Sequence, residues 1–123
     1  MKNFNKNSLN IVAYHYVREI KNSKYPNIKG IEYSIFKKQI KFFKKKFSII
    51  SADELVEILD KKKVAHYKKP LMLLTFDDGY KDHYKYVYPT LINEKISGCF
   101  YPPVNIFKGE VLDVNKIHYI LET

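Results

Sequence analysis

The chain contains a single cysteine, Cys99, among 123 residues, so no internal disulfide can form. Cys99 sits in the apolar run Ile96 to Tyr101, where a buried, inert thiol is expected. Arginine is equally scarce. Arg18 is the only one, and lysine supplies the rest of a formal net charge of +9. Forked contacts to phosphate favour arginine, whereas lysine acts as a point charge. The lysines are also spread along the chain, which argues for a solvated surface and against a nucleic-acid partner. Long hydrophobic runs are missing. Met1 to Asn10 has lysines but no apolar core, so neither a signal peptide nor a membrane span is expected, which points to the cytoplasm. With four glycines in all, no glycine-rich loop exists to cradle phosphate, which disfavours phosphoryl transfer. There are no repeats or low-complexity linkers.

What remains is an ordinary globular balance, 46% hydrophobic and 28% charged, long enough for one domain with one core. It is too short for a complete barrel of alternating strands and helices, which needs roughly 250 residues. Leu9 to Val17 reads as a strand and Lys21 to Gly30 as a loop. Ser34 to Lys46 reads as a helix capped by Ser34, with Phe36, Ile40, Phe43 and Phe47 at helical spacing. A short strand is expected from Phe47 to Ile50. Ser51 to Asp60 is a second helix, with Ser51 and Glu54 at capping-box spacing and Leu55, Ile58 and Leu59 as its buried stripe. Leu71 to Thr75 is continuously apolar, as a strand covered on both faces would be. Asp82 to Glu94 reads as a helix burying Tyr84, Val87, Tyr88, Leu91 and Ile92, with Pro89 either kinking it or starting its regular part. Ile96 to Tyr101 is the next strand. This alternation predicts an α/β fold with parallel strands and crossover helices, in which ligands bind beyond the C-terminal ends of the strands.

Asp77 and Asp78 fall at such an end. Neighbouring strand residues point to different sides, so one carboxylate can hold a cation while the other moves a proton. Asp-Gly is also a turn signal, so Asp77 and Asp78 can instead cap the following helix and shape a turn. The apolar strand leading directly into both carboxylates favours a site.

The hexapeptide Thr75-Phe76-Asp77-Asp78-Gly79-Tyr80 resembles the first signature motif of the polysaccharide deacetylases, the NodB-homology or carbohydrate esterase 4 family. Tyr14-His15-Tyr16-Val17 resembles the first strand in a branch acting on poly-N-acetylglucosamine and related glycans. Tyr88-Pro89-Thr90-Leu91 and Gly98-Cys99-Phe100-Tyr101 resemble the helix and strand that follow the motif. The resemblance runs from about Leu9 to Phe107. It implies the first part of a distorted (β/α) barrel, incomplete within residues 1–123, and a hydrolase that removes acetyl groups from N-acetylated polysaccharide or oligosaccharide. It further implies Asp77 as general base, Asp78 as ligand to a divalent metal, zinc in many members, and His15 and Tyr80 beside the glycan. The family completes its metal site with two histidines four or five residues apart. His15, His66, His83 and His118 include no such pair, and the family's later motifs find no match. The expectation is therefore a fragment of a deacetylase domain with little or no activity of its own. The alternative is a non-catalytic, glycan-binding remnant.

Overall fold

A computed structural model describes residues 7–61 and 67–122. The apolar run ending at the aspartate pair forms the middle of a parallel sheet. Strand β1, Leu9–Tyr14, pairs along its length with β5, Leu71–Asp77. The short β4, Ser48–Ile49, and β6, Cys99–Tyr101, also pair in parallel with β5, β4 at Leu71 and Met72 and β6 at Thr75 to Asp77. Two further short strands, β2 at Val17–Arg18 and β3 at Ile31–Glu32, form a separate parallel pair. The expected first strand is thus broken after Tyr14, and the chain steps out of the sheet at His15 and Tyr16.

Helix α1, Tyr33–Lys46, covers one face of the sheet. Alternation along the strands puts Val12 and Tyr14, Met72, Leu74 and Phe76, and Phe100 on this face. Phe36 and Ile40 of α1 pack there with Phe47, Val87 and Leu91. In-register aromatics from three adjacent strands stack across it: Tyr14 on Phe76 at 5.3 Å and Phe76 on Phe100 at 5.0 Å between ring centroids. Such stacked cross-strand rings fix register as well as burying area. Burial pushes the Tyr14 hydroxyl up to about 12; it donates to Gln39 on α1.

Ser34 does not cap α1. Glu32 occupies the cap position, and its carboxylate instead accepts the backbone N–H groups of Ile20 and Lys21. Helix α2, Ala52–Lys61, has the expected capping box, with Ser51 and Glu54 each accepting the other's backbone N–H. Ile58 is buried against Ile50 and Leu71, but Leu59 faces solvent. His66 lies outside the described residues.

The helix after the aspartate pair begins as a π-helical turn, His83–Val87, and becomes regular in α3, Tyr88–Glu94, with Pro89 in its first turn. Val87 and Tyr88 are both in the helical region, so Pro89 lies within one continuous helical run; the wider π turn just before it coincides with the residue that has no N–H to give and whose ring crowds the preceding turn. Val87 and Leu91 are buried as expected, but Tyr84, Tyr88 and Ile92 are exposed. The buried stripe is the helical repeat one position earlier than the expected one. The inward positions are His83, Val87, Thr90 and Leu91, and the stripe at 84, 88 and 92 turns outward. Helices α4, Val104–Phe107, and α5, Asp113–Leu121, follow β6. No described helix is long and apolar enough to cross a membrane.

Candidate active site

Asp77 is the last residue of β5 and Asp78 the first beyond it. Asp78 and Gly79 both adopt left-handed backbone, with φ of 71° and 63°. A glycine is required at the second position for space as well as for φ. A Cβ there would lie 2.5 Å from Ile106 Cδ1 and 3.0 Å from Pro102 Cβ. The turn signal in Asp-Gly is therefore real, but the carboxylates are not spent on capping a helix. The π-helical turn has no side-chain cap, and the two acids meet other partners.

His15 and Asp77 come together. Asp77 Oδ2 lies 3.8 Å from His15 Nε2, with the two side chains 35% and 55% exposed. Both groups therefore reach solvent. His15 is held there by His83, whose Nε2 lies 2.8 Å from the His15 carbonyl oxygen. That contact requires the proton on Nε2, since a carbonyl only accepts. His83 is buried against Phe76, Tyr80 and Phe100, and burial lowers its pKa, so the ring stays neutral. Its Nδ1 has no hydrogen-bond partner among the described residues.

Asp78 belongs to a second group. The Tyr80 hydroxyl lies 2.7 Å from Asp78 Oδ2 and 2.7 Å from Asn115 Oδ1 on α5. The Tyr16 hydroxyl is 3.0 Å from the same Asn115 oxygen and 3.4 Å from His118 Nδ1. A phenol has one proton and cannot donate to Asp78 and Asn115 together. Turning the Asn115 amide end for end removes this conflict. Its NH2 then donates to both tyrosine oxygens, Tyr80 donates to Asp78, and Tyr16 donates to His118. Tyr80 also stacks on Tyr16 at 4.2 Å. Burial, with the Tyr16 hydroxyl and the Asp78 carboxylate beside it, raises the Tyr80 pKa far above the usual tyrosine range. The Tyr80 proton is therefore a fixed donor that orients one oxygen of Asp78.

Of the four residues expected from the sequence, Asp77 and His15 lie together and Asp78 and Tyr80 lie together, as two separate pairs at and beyond the C-terminal end of β5. The sequence did not identify Asn115, which is buried and joined to the site only through the folding back of α5. A polar residue on an otherwise semi-apolar helix was its only signal. The helix start assigned to His83 is correct, but the ring also anchors the His15 backbone.

The described residues do not fit a metal centre on their own. No group of three or more histidine, cysteine, aspartate or glutamate side chains converges among them, and catalytic zinc generally takes three protein ligands.

No family model and no curated protein matches the chain. Solved structures do. A de-N-acetylase from Aggregatibacter actinomycetemcomitans superposes with a TM-score of 0.63 at 23% identity, over 79% of this chain and 40% of the other. Streptococcus pyogenes deacetylase PplD, solved in complex with acetate, gives 0.60 at 22% identity, over 78% and 42%. IcaB from Ammonifex degensii gives 0.57 at 25% identity, over 77% and 40%. The chain thus resembles the N-terminal portion of de-N-acetylases in fold. It spans about two-fifths of the length of the solved chains it matches.

Proposed function

We propose that this chain carries the carboxylate side of a hydrolase site that removes acetyl groups from N-acetylated glycans. The observation behind this reading is the convergence of Asp77 with His15 and of Asp78 with Tyr80 at the C-terminal end of β5, in a fold like that of the de-N-acetylases. Asp77, part-exposed and free of any capping bond, is the general base. It takes a proton from the water that attacks the acetamide carbon. His15, 3.8 Å away, lies where it can touch the sugar or steady the Asp77 carboxylate. Asp78, with one oxygen held by the Tyr80 hydroxyl, would be the residue of this chain to hold a divalent metal, zinc by the family resemblance, which would supply Lewis acidity to the attacking water. The further ligands of such a metal are not among the described residues, so the chain alone is expected to bind zinc weakly and to release little or no acetate.

A non-catalytic glycan-binding remnant of the same fold is the second reading, favoured by the lack of a three-ligand cluster among the described residues. Zinc titration by calorimetry, together with acetate release from an acetylated chito-oligosaccharide, tests both. Weak zinc binding abolished by Asp78→Asn supports the ligand role. Zinc binding unchanged in that variant removes it and leaves the remnant. Clear turnover by the isolated chain, lost in Asp77→Asn, would show that the site is complete after all.

A further inference from the structure

The Asp77–His15 pair and the Asp78–Tyr80 pair have separate supports, and one side chain touches both of them. Arg18, the only arginine of the chain, stands on the two-residue strand β2, just after His15 and Tyr16. Among the described residues β2 pairs with β3 alone. A two-stranded pair is marginally stable at best by itself, so side chains must fix its place. The guanidinium makes three contacts. Its Nε donates to Asp82 Oδ2, at the start of the π-helical turn. Its Nη1 donates to the Tyr119 hydroxyl of α5 at 3.0 Å. Its carbon lies over the Tyr16 ring, 4.7 Å from the centroid. The Arg18 and Asp82 side chains are 17% and 14% exposed, so this is not one of the solvated surface pairs that contribute little. Loss of either partner would leave a largely buried charge without its counterpart.

We propose that Arg18 is a positioning residue that sets the Asp77–His15 pair and the Asp78–Tyr80 pair in place relative to each other. On one arm, Asp82 immediately precedes His83, whose Nε2 meets the His15 carbonyl oxygen at 2.8 Å. The Arg18–Asp82 bond ties the segment from His15 to Arg18 to the same turn at a second point. Two ties, and not one, fix the direction in which His15 faces Asp77. On the other arm, Tyr119 follows Asn115 by one turn of α5, and residues four apart share a helix face. Holding Tyr119 holds Asn115 against the Tyr80 and Tyr16 hydroxyls, at 2.7 and 3.0 Å. Tyr16, under the guanidinium, stacks in turn on Tyr80 at 4.2 Å. Lysine cannot do this work. A compact ammonium has no flat face to lay on a ring and no second nitrogen to spread between an acid and a phenol. The role rests on the hydrolase reading for its meaning in catalysis, but the geometry can be measured without substrate.

The test follows the NMR signals of the His15 ring nitrogens and of the Asn115 side-chain amide in the folded chain. No substrate or metal enters it, so its outcome is separate from those of the zinc and acetate assays above. Arg18→Lys is expected to shift both sets of signals. Tyr119→Phe deletes one oxygen and keeps the ring that packs on Tyr25. It should shift the Asn115 amide and, through Arg18, the His15 ring as well. Asp82→Ala should shift the His15 ring and, through Arg18, the Asn115 amide. Lys44→Ala, which breaks the Lys44–Glu94 pair between α1 and α3, should move neither. Tyr119→Phe carries the test alone if loss of the buried ion pair prevents the other two variants from folding. Site signals that stay in place while only the denaturation midpoint falls would make Arg18 a structural residue and overturn the proposal. So would a Tyr119→Phe effect confined to Asn115, because the two pairs would then be supported independently.

Discussion

Gly79 and Gly109 make a matched pair for measuring what the turn after Asp78 demands. Both have left-handed backbone, with φ of 63° and 76°. A Cβ at Gly109 would meet nothing within 4 Å, whereas at Gly79 it would press on Ile106 Cδ1 at 2.5 Å and on Pro102 Cβ and Cα at 3.0 and 3.3 Å. The left-handed conformation costs alanine about 1–2 kcal/mol. Reduced freedom of the unfolded chain returns about 0.4–1 kcal/mol, so Gly109→Ala should cost about 1 kcal/mol. The Ile106 methyl can rotate away, but the Pro102 ring is fixed to the backbone just after β6. Overpacking of this kind adds about 1–3 kcal/mol, which brings Gly79→Ala to about 2–4 kcal/mol. Urea denaturation of both variants, extrapolated to water, measures the difference. The variants should also differ at the site, since relief of the clash moves the peptide that carries Asp78. Equal losses in the two variants would refute the crowding argument and leave Gly79 as a turn residue with no role in packing β5 against Pro102 and Ile106.

Two further outcomes follow from the same structure. His83 is buried with its pKa lowered from 6.5, so below about pH 6.5 the unfolded chain binds a proton that the folded chain refuses. Stability should therefore fall on acidification through that region, and His83→Gln should flatten this part of a melting temperature against pH curve; an unchanged slope would show that another group is responsible. Ser51→Ala removes one half of the capping box at the start of α2 and should cost about 1 kcal/mol in chemical denaturation. Ser34→Ala, at a position that caps nothing, should be nearly neutral by the same measurement.

The parallel sheet and the position of the acid pair were legible in the sequence because they depend on local signals. The unbroken apolar stretch from Leu71 announces a strand buried on both faces, and Gly79 announces the turn that presents Asp77 and Asp78. The capping box at Ser51 and Glu54 is likewise a short-range pattern, with both partners within one turn. Tertiary structure decided what depends on distant contacts. Helical spacing assigned Tyr84, Tyr88 and Ile92 to the core, but the neighbouring stripe His83, Val87, Thr90 and Leu91 is the one buried; both stripes fit a helical repeat, and only the sheet they pack against decides between them. Glu32, and not Ser34, stands at the α1 cap position, with no side-chain bond to the helix and its carboxylate turned to the loop N–H groups at Ile20 and Lys21. The support of Asp78 by Tyr80, Tyr16 and Asn115 joins residues up to 99 positions apart. Residue type and spacing fix where a strand ends and which side chains it presents there. Which of those side chains acquires a hydrogen-bonding partner, and in what protonation state, is settled only when α5 folds back against the turn.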